Sequence, residues 1–297
     1  MNFTKSVGST PLPNSNPQGG REQAGGSAVE DSIFAANRAA SRIAVSVEAS
    51  EGASRPRRVR EEGSLRVRFP GAISDELEAV LVNTAGGIAG GDDLEIAFSV
   101  GPGTRLVVTG AAAEKVYRSL GPDARMRIKL DVAGGAALAW LPQETIVFDR
   151  ARVTRSIDVD LAADAGLIVA EAVIFGRSGM GERVECGLLL DRWRVRRDGW
   201  LLFADTLRLE GAIAQKLSAP ACANAAVAVA SVLVIPGDDA LACSVREQAF
   251  SGEVGISAWN GFALARLVAE TGAKLRQDLS ALLLLLRAGR LPRLWLN

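Results

Sequence analysis

The chain has 297 residues, of which 48% are hydrophobic and 23% charged, an ordinary balance for a globular protein that buries a substantial core. Lys plus Arg and Asp plus Glu both total 34, so the overall charge does not indicate binding to nucleic acid or to an anionic membrane surface. The longest apolar run near the C-terminus, residues 281–286, is far shorter than the roughly 20 residues of a membrane-spanning helix.

Residues 1–55 are predicted to form a disordered or weakly ordered tail, because they are rich in Ser, Gly, Asn, Pro and Ala. A short helix over Ser32–Val47 fits the apolar spacing within this tail. No secretory signal peptide is recognisable, and a cytoplasmic location is expected. A basic cluster, interpreted as a solvated linker rather than a binding patch, then leads into a folded domain over residues 56–297: Arg55, Arg57, Arg58 and Arg60.

From Leu65 onward the hydrophobic pattern has a period of two, which predicts half-buried β-strands. Apolar residues alternate with polar ones in four segments: 65–69, 94–100, 126–132 and 157–161. Turn signals such as Gly101-Pro102-Gly103 separate them. This pattern predicts a mainly β fold, with many short strands in a β-sandwich or β-solenoid-like single domain and a small helical part at the C-terminus.

Helical periodicity is confined to the last quarter of the sequence. Asp238–Phe250 is predicted as one helix, with Asp238 or Asp239 as its N-cap. Thr271–Arg287 is predicted as a second helix because its leucines form an apolar stripe. This stripe is interpreted as core packing, and a partner-binding role is the alternative, because the five consecutive leucines 282–286 exceed what one buried face needs.

The sequence contains no histidine and only three cysteines, which are widely spaced and form no CxxC pair. The missing histidine excludes Ser-His-Asp triads, Cys-His pairs and HExxH metal sites, and the cysteine spacing argues against a disulfide framework. Chemistry based on carboxylate, Lys, Tyr or Cys groups remains open. The composition therefore favours an assembly factor over an enzyme.

A glycine-rich segment, residues 83–92, lies between the apparent strand 79–82 and the strand 94–100. A nucleotide-binding glycine motif requires a helix after the glycines, and a P-loop also requires Gly-Lys-Ser/Thr. Neither condition is met. The segment is therefore interpreted as a hairpin or crossover between strands, with Asp92 as a free carboxylate at its end.

A second polar segment, residues 110–119, contains the only tyrosine of the chain. Lys115, Tyr117 and Arg118 are interpreted as a protein-contact site, because a reductase-type Tyr/Lys pair would need a spacing of four on a helix.

Glu171 and Asp205 are two carboxylates that each lie within an apolar run of the sequence. A buried carboxylate needs a partner, and Arg177 or Arg183 is the expected partner of Glu171.

Taken together, these segments resemble the UreD (UreH) family of urease accessory proteins over about residues 60–297. The resemblance rests on the collinear order of short motifs. They are Val67-Arg68-Phe69, the loop 83–92, Lys115-Val116-Tyr117-Arg118-Ser119, Leu141-Pro142-Gln143-Glu144-Thr145-Ile146 with Phe148, Gly176-Arg177, Gly181-Glu182, Asp198-Gly199 and Leu291-Pro292-Arg293-Leu294-Trp295.

The resemblance implies a β-rich fold with a small helical portion and no catalytic turnover. It implies a chaperone-like scaffold that binds urease apoprotein and joins UreF and the GTPase UreG in a nickel-delivery complex. Two copies of the chain could form a dimer within that complex. No tightly bound cofactor is expected. Nickel(II) would pass transiently through an internal passage lined by polar and acidic groups, with neither nucleic acid nor a membrane as partner.

Without histidine, transient nickel contacts would depend on carboxylates, backbone carbonyls and water, which exchange readily. The first candidates are Asp92, Glu171 and Asp205, followed by Glu114, Glu144 and Glu182. For each of them a structural salt bridge is the alternative to a metal contact. Two other functions also remain open: a β-rich enzyme using a carboxylate pair such as Glu171 and Glu182, and a binding module with no metal role.

Overall fold

The computed structural model describes residues 38–71, 76–287 and 290–296. The strands are β1 (Ala40–Ser50), β2 (Ala53–Glu62), β3 (Leu65–Arg68), β4 (Leu77–Asn83), β5 (Asp93–Val100), β6 (Arg105–Gly110), β7 (Glu114–Val116), β8 (Ala124–Val132), β9 (Ala137–Leu141), β10 (Thr145–Val147), β11 (Arg152–Leu161), β12 (Gly166–Phe175), β13 (Cys186–Arg197), β14 (Trp200–Ala212), β15 (Ala228–Ile235), β16 (Glu253–Trp259) and β17 (Phe262–Ala269). The helices are α1 (Ile213–Ser218), α2 (Asp239–Arg246) and α3 (Gly272–Leu286), with short 3₁₀ turns at Ser178–Met180 and Arg293–Trp295.

The strands form two sheets, and the chain alternates between them from β4 to β13. The first sheet has seven strands in the order β14-β13-β11-β8-β5-β1-β2, and the second has ten, with the main order β16-β17-β15-β12-β9-β6-β4-β3. Parallel neighbours require a long crossover, and here a strand of the opposite sheet supplies it, which produces solenoid-like coils. The predicted mainly β fold with a small helical part is confirmed.

The main core lies between the two sheets, because alternate residues of every central strand point to the same face. In the first sheet β5 contributes Leu94, Ile96 and Phe98, and in the second β9 contributes Leu138 and Trp140. Phe98 and Trp140 meet edge to face with ring centroids 6.2 Å apart. The alternation that predicts the strands therefore also indicates which side chains fill this core.

A second core lies on the outer face of the second sheet, where α2 and α3 pack. The outward residues of this face are mostly small, including Ala170, Ala172, Ala228 and Ala230, which lets helices approach closely. Both predicted helices are confirmed. Asp238 caps α2 by accepting from the Leu241 N–H at 2.8 Å, and Thr271 caps α3 by accepting from the Lys274 N–H at 3.2 Å.

The leucines of α3 fall into a buried group and an exposed group, as the apolar stripe predicts. Leu275, Leu279, Leu282 and Leu283 are buried, whereas the surplus residues Leu284 and Leu285 are 54% and 41% exposed. Leu291 and Trp295 of the C-terminal segment are buried. The Trp295 ring stacks on the Arg276 guanidinium, and its N–H donates to the Leu141 carbonyl at 3.1 Å. Among the described residues, no helix is long and apolar enough to cross a membrane.

The N-terminal boundary predicted from the sequence is wrong. Residues 40–50 form β1, a central strand between β5 and β2, and the inward side chains Ile43, Val45 and Val47 are buried. The apolar residues at positions 43, 45 and 47 have a period of two, which excludes the helix over this part of Ser32–Val47. The remainder of that helix, and residues 1–37 of the predicted tail, lie outside the described residues.

One further prediction needs correction, and one helix was not predicted. The cluster Arg55, Arg57, Arg58 and Arg60 is part of the edge strand β2 rather than a linker, although its side chains are exposed as expected. The sequence also did not predict α1, because six residues are too few to show a helical period.

Candidate functional site

Four of the segments that carry the sequence motifs, 83–92, 115–119, 142–148 and 176–182, meet at one corner of the solenoid. Ile88 bridges to Val116, β7 pairs with β10, and β10 pairs with the end of β12. These short pairings place the loops of four successive coils side by side. Residues far apart in the sequence are brought together on one surface in this way.

Tyr117 is the centre of this surface. Its hydroxyl donates to the Gly86 carbonyl at 3.0 Å, and its ring meets the Phe148 ring edge to face at 5.1 Å. The Arg177 guanidinium lies 4.1 Å above the Phe148 ring and pairs with Glu182 at 2.5 Å. We call the group Lys115, Tyr117, Arg118, Phe148 and Arg177 the corner surface.

The predicted contact residues Lys115, Tyr117 and Arg118 are all exposed, with Tyr117 at 38%. The Tyr117 ring also explains why position 87 in the loop 83–92 is a glycine. A Cβ at Gly87 would overlap the Tyr117 ring and lie 2.9 Å from the Lys115 carbonyl oxygen. The loop joins β4 of one sheet to β5 of the other. Of the hairpin and the crossover that the sequence allows, the structure therefore has the crossover, and the glycine serves close packing.

Asp92, predicted as a free carboxylate, is buried and has backbone partners. One carboxylate oxygen accepts from the Ala39 N–H at 2.9 Å and the other from the Ala89 N–H at 2.7 Å. Its side chain therefore ties the start of β1 to the end of the glycine loop. The prediction of a free carboxylate is wrong because the residue that approaches it belongs to the segment assigned to the tail.

Glu171 is buried, as the sequence predicts, and lies between the sheets, but its partner is neither Arg177 nor Arg183. It accepts hydrogen bonds from Arg155 of β11 and from the Trp140 indole N–H, the latter at 2.8 Å. Arg155 also donates to both oxygens of Asp191, at 3.0 and 2.6 Å, and to the Thr145 hydroxyl at 3.3 Å. The result is a buried cluster of one guanidinium and two carboxylates, which we call the inter-sheet cluster: Arg155, Glu171 and Asp191.

The pKa of Glu171 is raised above its ordinary value, chiefly by burial. The positive charge of Arg155 opposes this shift, whereas the negative charge of Asp191 adds to it. Asp191 takes two of the guanidinium hydrogen bonds, so Glu171 is the carboxylate of the cluster that is less fully neutralised. Glu171 therefore holds a proton at higher pH than an exposed glutamate does.

Asp205 lies at the rim of the same inter-sheet space. It pairs at 2.5 Å with Arg266 of β17, which also donates to the Ser231 hydroxyl at 2.6 Å. Strand register places Glu171, Ser231 and Arg266 opposite one another on three neighbouring strands of the second sheet. A polar row therefore crosses the inner face of this sheet from the exposed rim to the buried cluster.

The three lower-ranked candidates each have a protein partner. Glu144 pairs with Arg276 at 2.9 Å beside the C-terminal segment, and Glu182 pairs with Arg177. Glu114 is half-buried and accepts from the Asn83 amide at 3.2 Å. Burial raises the pKa of Glu114 to about 7, against the hydrogen bond from Asn83.

Only some of the predicted acidic candidates lie in the same part of the structure. Glu171 and Asp205 belong to the polar row, whereas Asp92 lies in the glycine loop. Within residues 38–71, 76–287 and 290–296, no group of three or more His, Cys, Asp and Glu side chains is arranged to hold a metal ion. Arg155 and Asp191 were missed, although each interrupts the apolar inward positions of its strand, and that interruption is a readable signal.

Comparison with known proteins gives a consistent picture. A family profile described as UreD urease accessory protein matches residues 39–296. The chain is 54% identical to the urease accessory protein UreD of Rhodopseudomonas palustris strain BisA53 over 270 residues, covering 90% of this chain and 94% of that protein. It is 53% identical to UreD of Rhodopseudomonas palustris strain HaA2 over 277 residues (93% and 99%) and 52% identical to UreD of Bradyrhizobium diazoefficiens over 271 residues (91% and 98%).

Proposed function

The chain belongs to the UreD family of urease accessory proteins, and we propose that it serves urease maturation as a scaffold without catalytic turnover of its own. In this role it binds urease apoprotein, joins UreF and the GTPase UreG, and assists the transfer of nickel. The observation that carries the proposal is the convergence of four motif-bearing segments on one exposed corner surface. Motifs that serve a scaffold are expected at such a surface.

The chemistry of the corner surface suits a protein partner. Tyr117 and Phe148 offer rigid apolar area, the Arg177 guanidinium lies over the Phe148 ring, and Lys115 and Arg118 are exposed cationic residues on either side of Tyr117 in the sequence. Aromatic and arginine side chains supply much of the binding energy at protein interfaces. Tyr117 is fixed from below by Gly87 and from the side by Phe148, so little side-chain entropy would be lost when a partner binds.

The polar row supports transient handling of nickel. It offers carboxylate and hydroxyl oxygens, which hold nickel(II) less tightly than imidazole or thiolate does. Asp205 lies at the rim and Glu171 inside, so these two are the proposed contacts of the passing ion. Asp92 is not part of this row, because it lies in the glycine loop, where its carboxylate oxygens accept the Ala39 and Ala89 N–H groups.

The scaffold role is tested by co-expressing the chain with UreF, UreG and urease and measuring co-purification. Tyr117→Ala is expected to reduce recovery of the partners by about tenfold or more, since loss of an interface anchor typically exceeds about 1.4 kcal/mol. Trp200→Ala is the matched control, because Trp200 is 82% exposed on β14, away from the corner surface. Equal recovery with both variants would show that the corner surface does not bind these partners.

The nickel role is tested by the metal content of urease matured with Glu171→Gln or Asp205→Asn. Both variants keep the size of the side chain and remove its charge. We expect urease to assemble and to contain less nickel than urease matured with the unaltered chain. Full nickel content with both variants, in chains that still co-purify with their partners, would contradict this role.

A further inference from the structure

A groove with a volume of 1520 Å³ lies on the outer face of the second sheet, the face on which α2 and α3 also pack. Strand register places Val107, Ala139, Ile168 and Val234 next to one another on four neighbouring strands across its floor. The groove is bordered by Leu241 of α2 and by the last turn of α3. It therefore continues the surface on which the chain packs its own helices.

Two sequence features that the proposed function leaves unused line this groove. Leu284 belongs to the run of five leucines at 282–286 and is 54% exposed. Part of the motif 291–295 lines the groove as well, and Leu296, which follows the motif, is 71% exposed there. Leu285 is 41% exposed but does not line the groove. The exposed leucines 284 and 296 thus add apolar area at the mouth of a groove whose floor is already apolar.

The charged residues of the groove leave positive charge uncompensated. Arg287 has a 4% exposed side chain; its Nη2 pairs with Glu76 at 2.5 Å, and its Nη1 has no hydrogen-bond partner among the described residues. Burial raises the pKa of Glu78, although the charges of Arg293 and Arg287 oppose this shift, so Glu78 compensates them less than an exposed glutamate would.

The count of charges has the same sign. In the part of the chain that the structure describes, four arginines and three acidic residues line the groove: Arg105, Arg287, Arg290 and Arg293, with Glu76, Glu78 and Asp238. All of these arginines except Arg287 are exposed. A carboxylate on a bound segment would therefore complement the groove.

The size and the floor of the groove indicate what kind of segment fits. Sites for small ligands span roughly 300–1,000 Å³, so this groove is better matched by a segment of a protein. Its floor is the face of a sheet, where the backbone groups already pair with neighbouring strands. An extended segment laid there would find no partners for its own N–H and C=O groups, whereas a helix satisfies them internally and presents one apolar face. The occupant that fits is a helix.

The groove and the corner surface lie at opposite ends of β12. Phe175, the last residue of this strand, pairs with Val147 at the corner, whereas Gly166, the first residue, lines the groove. The strand has 10 residues, which separates the two places by about 30 Å. Substitutions at one place are therefore separable from substitutions at the other.

We propose that this groove is the docking site for an amphipathic helix of a urease-maturation partner, which places apolar side chains against Leu284 and Leu296 and a carboxylate beside Arg290 and Arg293. The docking site rests on the proposed function, because the partner belongs to the same assembly. It differs from the corner surface in its place on the fold and in the chemistry of the bound segment.

Photo-cross-linking in the full-length chain tests the docking site directly. Benzoylphenylalanine replaces Leu284 in one chain and Leu285 in the control chain, and each chain is co-expressed with UreF, UreG and urease, irradiated and analysed by mass spectrometry. Position 284 is expected to cross-link a segment of one of these proteins that has apolar residues at helical spacing and an Asp or Glu among them. Position 285 is expected to give little of this product, because it does not line the groove.

Co-purification measures what the apolar contact contributes. Leu284→Asp is expected to lower recovery of the cross-linked partner about tenfold, because a charge then faces the apolar side of the bound helix. Leu285→Asp is the matched control on the same helix, and recovery is expected to stay unchanged. Both leucines are partly exposed, so both variants are expected to fold, and their Tm values check this.

The charge complement has its own pair of variants. Arg293→Glu is expected to lower recovery of the same partner about two- to fivefold. Arg58→Glu, on the exposed edge strand β2 of the first sheet, makes the same change of charge away from the groove and is expected to have no effect. Equal losses with these two variants would reject the proposed carboxylate contact.

Other results would overturn the docking site itself. One is equal cross-linking, or an equal loss of recovery, at positions 284 and 285. Another is the absence of any product at position 284 while the partners still co-purify. A product formed only with a second copy of this chain would make the groove a self-association surface and would also reject the proposal.

These results distinguish the docking site from the scaffold role of the corner surface. If Tyr117→Ala releases the partners and Leu284→Asp releases none, the corner surface stands and the groove is rejected. If Leu284→Asp releases a partner and Tyr117→Ala releases none, the groove stands and the corner surface is rejected. If none of the three proteins co-purifies with the unaltered chain, both proposals fail.

Discussion

Arg155 of the first sheet and Glu171 of the second form an ion pair that joins the two sheets inside the main core, with side-chain exposures of 5% and 3%. A second pair between the sheets, Arg266 with Asp205, lies at the rim. The two pairs have similar chemistry and differ in burial. They therefore allow the effect of burial to be measured within one protein.

Removing the arginine of the buried cluster is expected to destabilise the fold more than neutralising its glutamate. Arg155→Met leaves two buried carboxylates without a counter-charge and is expected to cost about 3–5 kcal/mol. Glu171→Gln resembles the protonated form that the raised pKa of Glu171 favours, and is expected to cost about 1 kcal/mol. Urea unfolding at neutral pH measures both, with Asp205→Ala, expected within about 1 kcal/mol, as the exposed control. Equal costs for Arg155→Met and Glu171→Gln would contradict the unequal charge balance of the cluster.

Gly87 and Gly86 provide a comparison between steric overlap and backbone strain. Both have positive φ, 152° and 75°, but only a Cβ at Gly87 meets other atoms, those of Tyr117 and Lys115. Gly86→Ala is expected to cost about 1–2 kcal/mol through its φ alone, and Gly87→Ala to cost more and to displace Tyr117. Thermal unfolding and co-purification with UreF check the two effects. The explanation fails if Gly86→Ala lowers partner recovery as much as Gly87→Ala does.

The end of the chain is expected to contribute to stability through one residue. Trp295 is buried in the second core, whereas the next residue, Leu296, is 71% exposed. Trp295→Ala removes a large buried ring and is expected to cost about 3–5 kcal/mol, while Leu296→Ala should change stability by no more than about 0.5 kcal/mol. Trp295→Phe keeps most of the ring but loses the hydrogen bonds of its N–H, so it should fall between them. Urea unfolding of the three variants decides the order.

The raised pKa of Glu114 predicts a pH dependence of stability. Its pKa rises from 4.5 to about 7 on folding, mainly through burial, so the folded chain keeps a proton that the unfolded chain has lost between these values. The stabilisation is therefore complete below pH 4.5 and is lost as the pH rises through about 7. Relative to Glu114→Gln, which has no such proton, the unaltered chain should lose stability across this interval, by up to about 3 kcal/mol. Tm values of both chains across this pH range would refute the assignment if their difference stayed constant.

Sequence alone determined the elements that depend on local pattern. The period of two in segments such as 94–100 and 126–132 specified strands and their inward faces, because each strand directs successive side chains to opposite sides. The caps Asp238 and Thr271 marked the start of two helices, because a short polar side chain there can accept a free backbone N–H. The collinear motifs also indicated the family, which the comparisons confirm.

Only the tertiary structure decided the partners of the polar side chains. Glu171 pairs with Arg155 rather than with Arg177 or Arg183, because the strand that faces it comes from the other sheet. Asp92 binds the Ala39 N–H because β1 inserts beside β5, a pairing made by long-range hydrogen bonds that a local pattern does not encode. The alternation of a strand fixes the face to which a charged side chain points, whereas the neighbour on that face depends on strand order.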